Sequence, residues 1–140
     1  MGMRRVGREF ALQALYLTDL TGLSPEKALH GLMLDPNIDP QAKKFSKALV
    51  TGVFLHKDDL DAMIVKYTVN WEMKRMAALD RNILRLGSYE LLYELETPAS
   101  VIIDEAVEIA KTYSTEDSGR FVNGILDKIK LERKTIASKL

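Results

Sequence analysis

Cysteine is absent from this 140-residue chain. Its absence excludes a disulfide framework, a thiolate nucleophile and a thiolate zinc site, and nothing argues for an oxidising compartment, so the cytoplasm is expected. Histidine is scarce. His30 and His56 stand apart from any ligand-like spacing, which makes each a surface or loosely packed side chain rather than a metal ligand or general base. No G-x-G-x-x-G or P-loop glycine pattern occurs, and no serine sits in a nucleophile elbow. Acidic groups do cluster, as Asp58, Asp59 and Asp61 and again as Asp104, Glu105 and Glu108, but such runs at helix starts complement the macrodipole. An enzyme is therefore not expected, and no cofactor is implied. Long apolar runs are missing as well. Glu9 and Gln13 interrupt the stretch behind the N-terminal arginines, so neither a signal peptide nor a membrane span is present in the pattern.

Net charge is the last absence, with 20 basic and 20 acidic residues. The average conceals a distribution. Residues 1–10 sum to +2, residues 121–140 to +3 and the 110 between them to −5. Basic ends around an acidic middle are the electrostatic footprint of a polyanion partner, and also a common solubilising feature. At 46% hydrophobic and 29% charged residues, the chain suits one compact domain over residues 1–140. A domain of this size buries roughly two thirds of its unfolded surface.

The hydrophobic spacing is helical almost throughout, with no sustained alternation, so the fold class is all-α. A first helix is expected over about residues 3–20, ending at "TG", followed by Ser24 as N-cap with Pro25 at the first helical position. "DPNIDP" reads as a connection, with a third helix starting near Pro40, a fourth apolar stretch over about Asp58–Val69, and then Trp71. "MAALDRNILRLGSYELLYEL" is apolar on nearly all sides, the mark of a central core helix, with Ile83, Leu84, Leu86, Leu91 and Leu92 buried. Ser100 precedes a further helix in "VIIDEAVEIAKTY". A last major helix follows Ser114 and leads into a fraying tail, "LERKTIASKL".

Charges within the central pattern need partners. Asp80, Arg81, Arg85 and Glu90 fall among apolar neighbours and are retained if they pair with each other or with Glu105, while Arg85 is also a candidate for a surface groove. On the first helix, Arg5, Glu9, Leu12 and Tyr16 share one face with Arg8 close by, whereas Val6, Phe10, Ala14 and Leu17 share the expected core face. An aromatic ring one or two turns from a pair of guanidiniums is the combination that stacks a base and holds its phosphate. In "STEDSGRFVNGILDKIK", Ser114 and Asp117 form an approximate capping box, and Phe121, Val122, Ile125, Leu126 and Ile129 form an apolar stripe. Gly124 would let that stripe approach another helix closely. Phe121 is either a core residue or, at the rim, the ring of a second cation-and-ring pair with Arg120.

"RRVGREFALQALY", "DRNILRLGSYELLY" and "PASVIIDEAVEIAKTYSTEDSGRFVNGILDKI" together resemble the signature segments of the NusB family of transcription antitermination factors, in the same order and spacing. The resemblance covers nearly the whole chain. It implies two packed three-helix bundles forming one compact domain without catalytic activity. It also implies binding to the single-stranded boxA element of ribosomal RNA leader transcripts jointly with NusE, a small-subunit ribosomal protein, in a complex with RNA polymerase and other Nus factors. Carried onto this sequence, the RNA contacts fall on Arg4, Arg5, Arg8, Tyr16, Asp117, Arg120 and Phe121, with Arg85 as a weaker candidate. The chain departs from the family pattern at Val6, where members often carry a basic residue, at Gly7, where alanine is usual, and at Asp104, where asparagine is usual. Gly7 is expected to loosen the first helical turn. Some members self-associate, so a homodimer covering the first helix is a further expectation. Two other readings stand beside this one: the RNA-targeting part of a ribosomal RNA cytosine methyltransferase, and a protein–protein adaptor.

Overall fold

A computed structural model describes residues 2–69 and 72–139, the side chains as far as residue 136, and Trp71 lies outside them. Among the described residues the chain is helical and contains no strand. The elements are α1 (Met3–Thr21), α2 (Pro25–Leu34), α3 (Pro40–Leu55), α4 (Lys57–Tyr67), a single 3-10 turn (Met73–Arg75), α5 (Ala78–Tyr93), α6 (Ala99–Tyr113), α7 (Glu116–Ile129) and α8 (Glu132–Lys139). They group into two compact units, Met1–Leu55 and His56–Leu140.

The first unit is the three-helix bundle α1–α2–α3. Its helix ends follow from local chemistry. Gly22 adopts φ +75° and donates its N–H to the Thr18 carbonyl at 2.9 Å, which stops α1 in the left-handed cap that glycine takes without a Cβ penalty. Ser24 accepts from the Lys27 N–H at 3.3 Å with Pro25 behind it, and Asp39 Oδ1 accepts from the Gln41 N–H at 2.7 Å as α3 begins. The buried face of α1 is Gly7, Arg8, Ala11, Leu12, Ala14 and Leu15. This corrects the expected facing: Leu12 is buried, Leu17 is 40% exposed, and Val6 and Phe10 are half-buried. The cause is that α1 packs against two helices, so its apolar surface divides between α3 and α2. Gly7 has a packing role that the sequence did not show: a Cβ there would stand 2.9 Å from Phe45 Cδ2 and 3.1 Å from the Ala42 carbonyl oxygen, so glycine is what lets α1 and α3 approach.

In the second unit α5 packs against α4, α6, α7 and α8. The helices α5, α6 and α7 make its three-helix core, and α4 and α8 add to it. Ile83, Leu84, Leu86, Leu91 and Leu92 of α5 are buried as expected, since a helix surrounded by neighbours is apolar on all sides. The close approach of α5 to α7 is made at Gly87, where a Cβ would meet Leu126 Cδ1 at 2.8 Å. Gly124 is not an approach point: a Cβ there meets nothing within 4 Å, and the close glycine of α7 is Gly119, where a Cβ would meet Lys111 Cγ of α6 at 2.9 Å. One N-cap shifts by a residue from expectation: Thr115, not Ser114, caps α7 by accepting from the Ser118 N–H at 3.0 Å. α6 starts at Ala99 with Pro98 at its N-cap position and no side-chain cap, which places Ser100 inside the first turn.

The tail expected to fray is the helix α8, held at both sides. Arg133 donates to the Leu91 and Glu94 carbonyls at 2.9 and 2.8 Å, closing the last carbonyls of α5, and burial lowers its pKa. Glu132 Oε1 accepts from Lys66 Nζ at 2.8 Å and from the Tyr67 hydroxyl at 2.6 Å, joining α8 to the end of α4. These links are side chain to terminus across more than 35 residues, and no local periodicity signals them.

Candidate nucleic-acid interface

The arginines of α1 occupy three different environments. Arg4 is exposed, Arg5 is half-buried, and Arg8 is 3% exposed. A single ring organises two of them. The guanidinium carbons of Arg4 and Arg8 lie 4.9 and 5.4 Å from the centroid of Phe45 on α3, a double cation–π contact. The helix start thus holds one guanidinium at the surface and another behind it. Tyr16 lies two turns beyond Arg8 and is 36% exposed, so part of its side chain reaches the surface. Phe45 was not visible as a site residue in the sequence, because the contact joins helices some 40 positions apart; the only local cue is "KKF".

In the second unit, Asp117 and Arg120 form an exposed ion pair one turn apart at the start of α7. Phe121 beside them is half-buried, so its ring is both part of the packing of α7 and partly at the surface. Beneath this turn is a hydroxyl network absent from the sequence reading. Ser118 Oγ donates to Asp80 Oδ2 at 3.1 Å, and it receives Thr115 Oγ1 at 3.1 Å and Ser114 Oγ at 2.8 Å. A buried serine with one donor and two acceptor sites is thereby saturated, and the start of α7 is tied to the start of α5. Asp80 was legible as a charge among apolar neighbours, but its partner was not.

Arg85 is placed differently from the other arginines. It is 5% exposed, and its Nε and Nη2 donate to Asp61 Oδ1 and Oδ2 of α4 at 2.7 and 3.0 Å while Nη1 reaches Asn82 Oδ1 at 3.1 Å. That geometry is a bidentate ion pair with a buried guanidinium and a partly exposed carboxylate. Asp61 is a partner that the sequence reading, with its set of Asp80, Arg81, Glu90 and Glu105, did not include. Arg81 uses Nη1 to hold the Met73 and Met76 carbonyls of the 3-10 turn at 3.0 and 3.1 Å. His56 is half-buried, and its ring stacks on Tyr93 at 4.1 Å with Tyr89 next in line at 5.3 Å from Tyr93. Burial raises the phenol pKa of both tyrosines. Among the described residues no cluster of carboxylates and histidines is arranged to hold a metal, and no helix is long and apolar enough to cross a membrane.

The arrangement is thus one of exposed cations beside rings, without an acid–base or metal centre among these groups. The sequence profile of the NusB family matches residues 5–130. The chain belongs to the NusB family. The transcription antitermination protein NusB of Elusimicrobium minutum is 44% identical over 137 residues, 96% of this chain and 97% of that one. Among solved structures, T. maritima NusB is 39% identical with a TM-score of 0.85, covering 94% of this chain and 92% of that chain. A crystal structure of the antitermination factors NusB and NusE in complex with double-stranded RNA contains a chain 28% identical, with a TM-score of 0.81 over 92% of this chain and 96% of that one. The all-α fold and both three-helix cores are therefore those of NusB. The NusB match ends before α8, so the ties of Glu132 and Arg133 lie beyond the span the family profile covers.

Proposed function

We propose that this chain is a non-catalytic transcription antitermination factor that binds single-stranded boxA RNA of ribosomal RNA leader transcripts together with NusE. The bound complex joins RNA polymerase and other Nus factors. Family membership supports the antitermination role, and the NusB–NusE–RNA assembly of a relative supports the two partners. The observation that carries the reading to residues is the pair of arginines gathered on Phe45 at the start of α1, with Tyr16 exposed two turns on. Cations beside an open ring suit an unstacked base and its phosphate, and they suit a duplex less well because its bases are already stacked.

In this reading Arg4 and Arg5 contact phosphates with Arg8 behind them, and Tyr16 stacks a base. Arg120 and Phe121 repeat the pairing in the second unit with Asp117 orienting Arg120, and Arg85 acts from within the fold through Asp61. A chain of zero net charge has little general attraction for RNA, so NusE is expected to tighten binding. The test is a titration of a boxA-type oligomer against a scrambled one, each with and without NusE. Tighter binding of boxA in the presence of NusE supports the function, and equal affinity in all four arms removes it. Light scattering of the protein alone at several concentrations reports any homodimer that competes for α1.

A further inference from the structure

The start of α1 and the first turns of α3 line a pocket beside the Arg4–Phe45 contact. Met3 and Arg4 from α1 and Gln41, Lys44, Phe45 and Ala48 from α3 line an open hollow of about 300 Å³. Small-ligand pockets run from about 300 to 1,000 Å³, so this one is sized for a single nucleotide rather than a longer segment.

Its lining sorts by chemistry. Arg4 and Lys44 are cations, and among the described residues neither has a carboxylate partner; the contact Arg4 makes is with the Phe45 ring. Two cations in the lining of one pocket favour an anion between them. The Arg4 guanidinium, held 4.9 Å from the Phe45 centroid, offers its outer face as a ledge on which a base can stack. Met3 and Ala48 extend the apolar wall. Gln41 spends its backbone N–H on Asp39, while its side-chain amide keeps a donor pair and an acceptor for the edge of a base. Phosphate, ring and edge are thus all provided for within one small hollow.

We propose that this pocket binds one nucleotide of a single-stranded RNA, its phosphate between Arg4 and Lys44, its base against the Arg4–Phe45 ledge, and the Gln41 amide on the base edge. The proposal rests on the RNA-binding reading above and carries the contact surface from α1 onto α3. A paired base would have its edge occupied, so the pocket selects an unpaired nucleotide.

The test uses the full chain with NusE and a boxA-type oligomer, alongside amide NMR of the protein with a nucleoside monophosphate. The monophosphate is expected to move the amide signals of Gln41, Lys44 and Ala48, and inorganic phosphate alone to move those of Gln41 and Ala48 less. Lys44→Ala is expected to weaken the oligomer with a salt slope smaller by about 0.7. Gln41→Ala is expected to weaken it about 10-fold at unchanged slope. Thermal melts of both variants, each at an exposed position, verify that the fold is kept. Unaltered RNA binding in both variants overturns the pocket while leaving the RNA function standing. Failure of the unsubstituted protein to bind the oligomer removes both. Loss of NusE binding with RNA binding intact identifies the hollow as a protein-docking surface and also overturns the proposal.

Discussion

Phe45 stands 2.9 Å from the point where a Cβ on Gly7 would lie, and the Ala42 carbonyl oxygen stands 3.1 Å from the same point. The second neighbour is backbone and cannot swing aside. Gly7→Ala therefore forces α1 and α3 apart, at about 1–3 kcal/mol for overpacking against a helix-propensity gain of up to about 1 kcal/mol, for a net loss near 1 kcal/mol. Gly124→Ala meets open space and should gain about 0.5–1 kcal/mol. Denaturant unfolding of the two variants should move the midpoint in opposite directions. A stabilised Gly7→Ala protein would show that the helices have slack.

These glycines mark where sequence reasoning reached and where it stopped. The positions of α1, α2, α3 and α5 were legible because their signals are local: Ser24 with Pro25, Gly22 after Thr21, and apolar residues all round between Ile83 and Leu92. Which glycine makes a close approach was not, since Gly7, Gly119 and Gly124 look alike until the neighbouring helix is placed. The facing of α1 failed for a related reason, because a helix with two partners has no single apolar stripe. At the candidate site, spacing gathers Arg5, Arg8 and Tyr16 and the family resemblance adds Arg4, whereas Phe45 and Ser118 owe their contacts to residues far along the chain.

Arg85 and Asp61 form a bidentate pair in which the guanidinium is 6% and the carboxylate 23% exposed. Removing one partner of a buried pair strands the other, at about 3–5 kcal/mol. Asp61→Ala should fall at or below the lower end of that range, because the partly exposed carboxylate edge admits water and Asn82 still accepts from Arg85 Nη1. Chemical denaturation supplies the number. RNA affinity of the folded protein should be unchanged, and a selective loss of RNA binding without loss of stability would instead put Arg85 in contact with RNA.

The α4–α8 tie predicts an alkaline transition. The Tyr67 hydroxyl donates to Glu132, which raises its pKa above the ordinary 10.0, with burial as the next cause. A pKa raised on folding means the protonated phenol is favoured in the native state. Its contribution is complete below pH 10 and is lost as pH rises through the folded value. Lys66 is shifted upward by the same carboxylate and acts with the same sign. Tyr67→Phe should therefore lose stability less steeply than the unsubstituted protein above about pH 10, with Lys66 supplying the remaining slope. Identical pH profiles from thermal melts would mean that the tie carries no linkage.

Phosphate and base contacts should separate in a salt series, because only the former release counterions. For a single strand each phosphate contact contributes about −0.7 to the slope of log affinity against log salt. Arg4→Ala and Arg5→Ala should each flatten the slope by that amount and weaken boxA and scrambled RNA alike. Arg8 is buried behind Phe45, so its replacement should appear first as lost stability rather than as a changed slope. Tyr16→Leu and Phe121→Leu should leave the slope intact and cost about 1–3 kcal/mol of binding each if their rings carry stacked bases. Tyr16 is the cleaner of the two, being exposed, whereas half-buried Phe121 also contributes to packing at the start of α7. The comparison is therefore made at equal folded fraction. Should Phe121→Leu lower only the melting temperature, its ring belongs to the packing of α7, and base stacking must be sought at Tyr16.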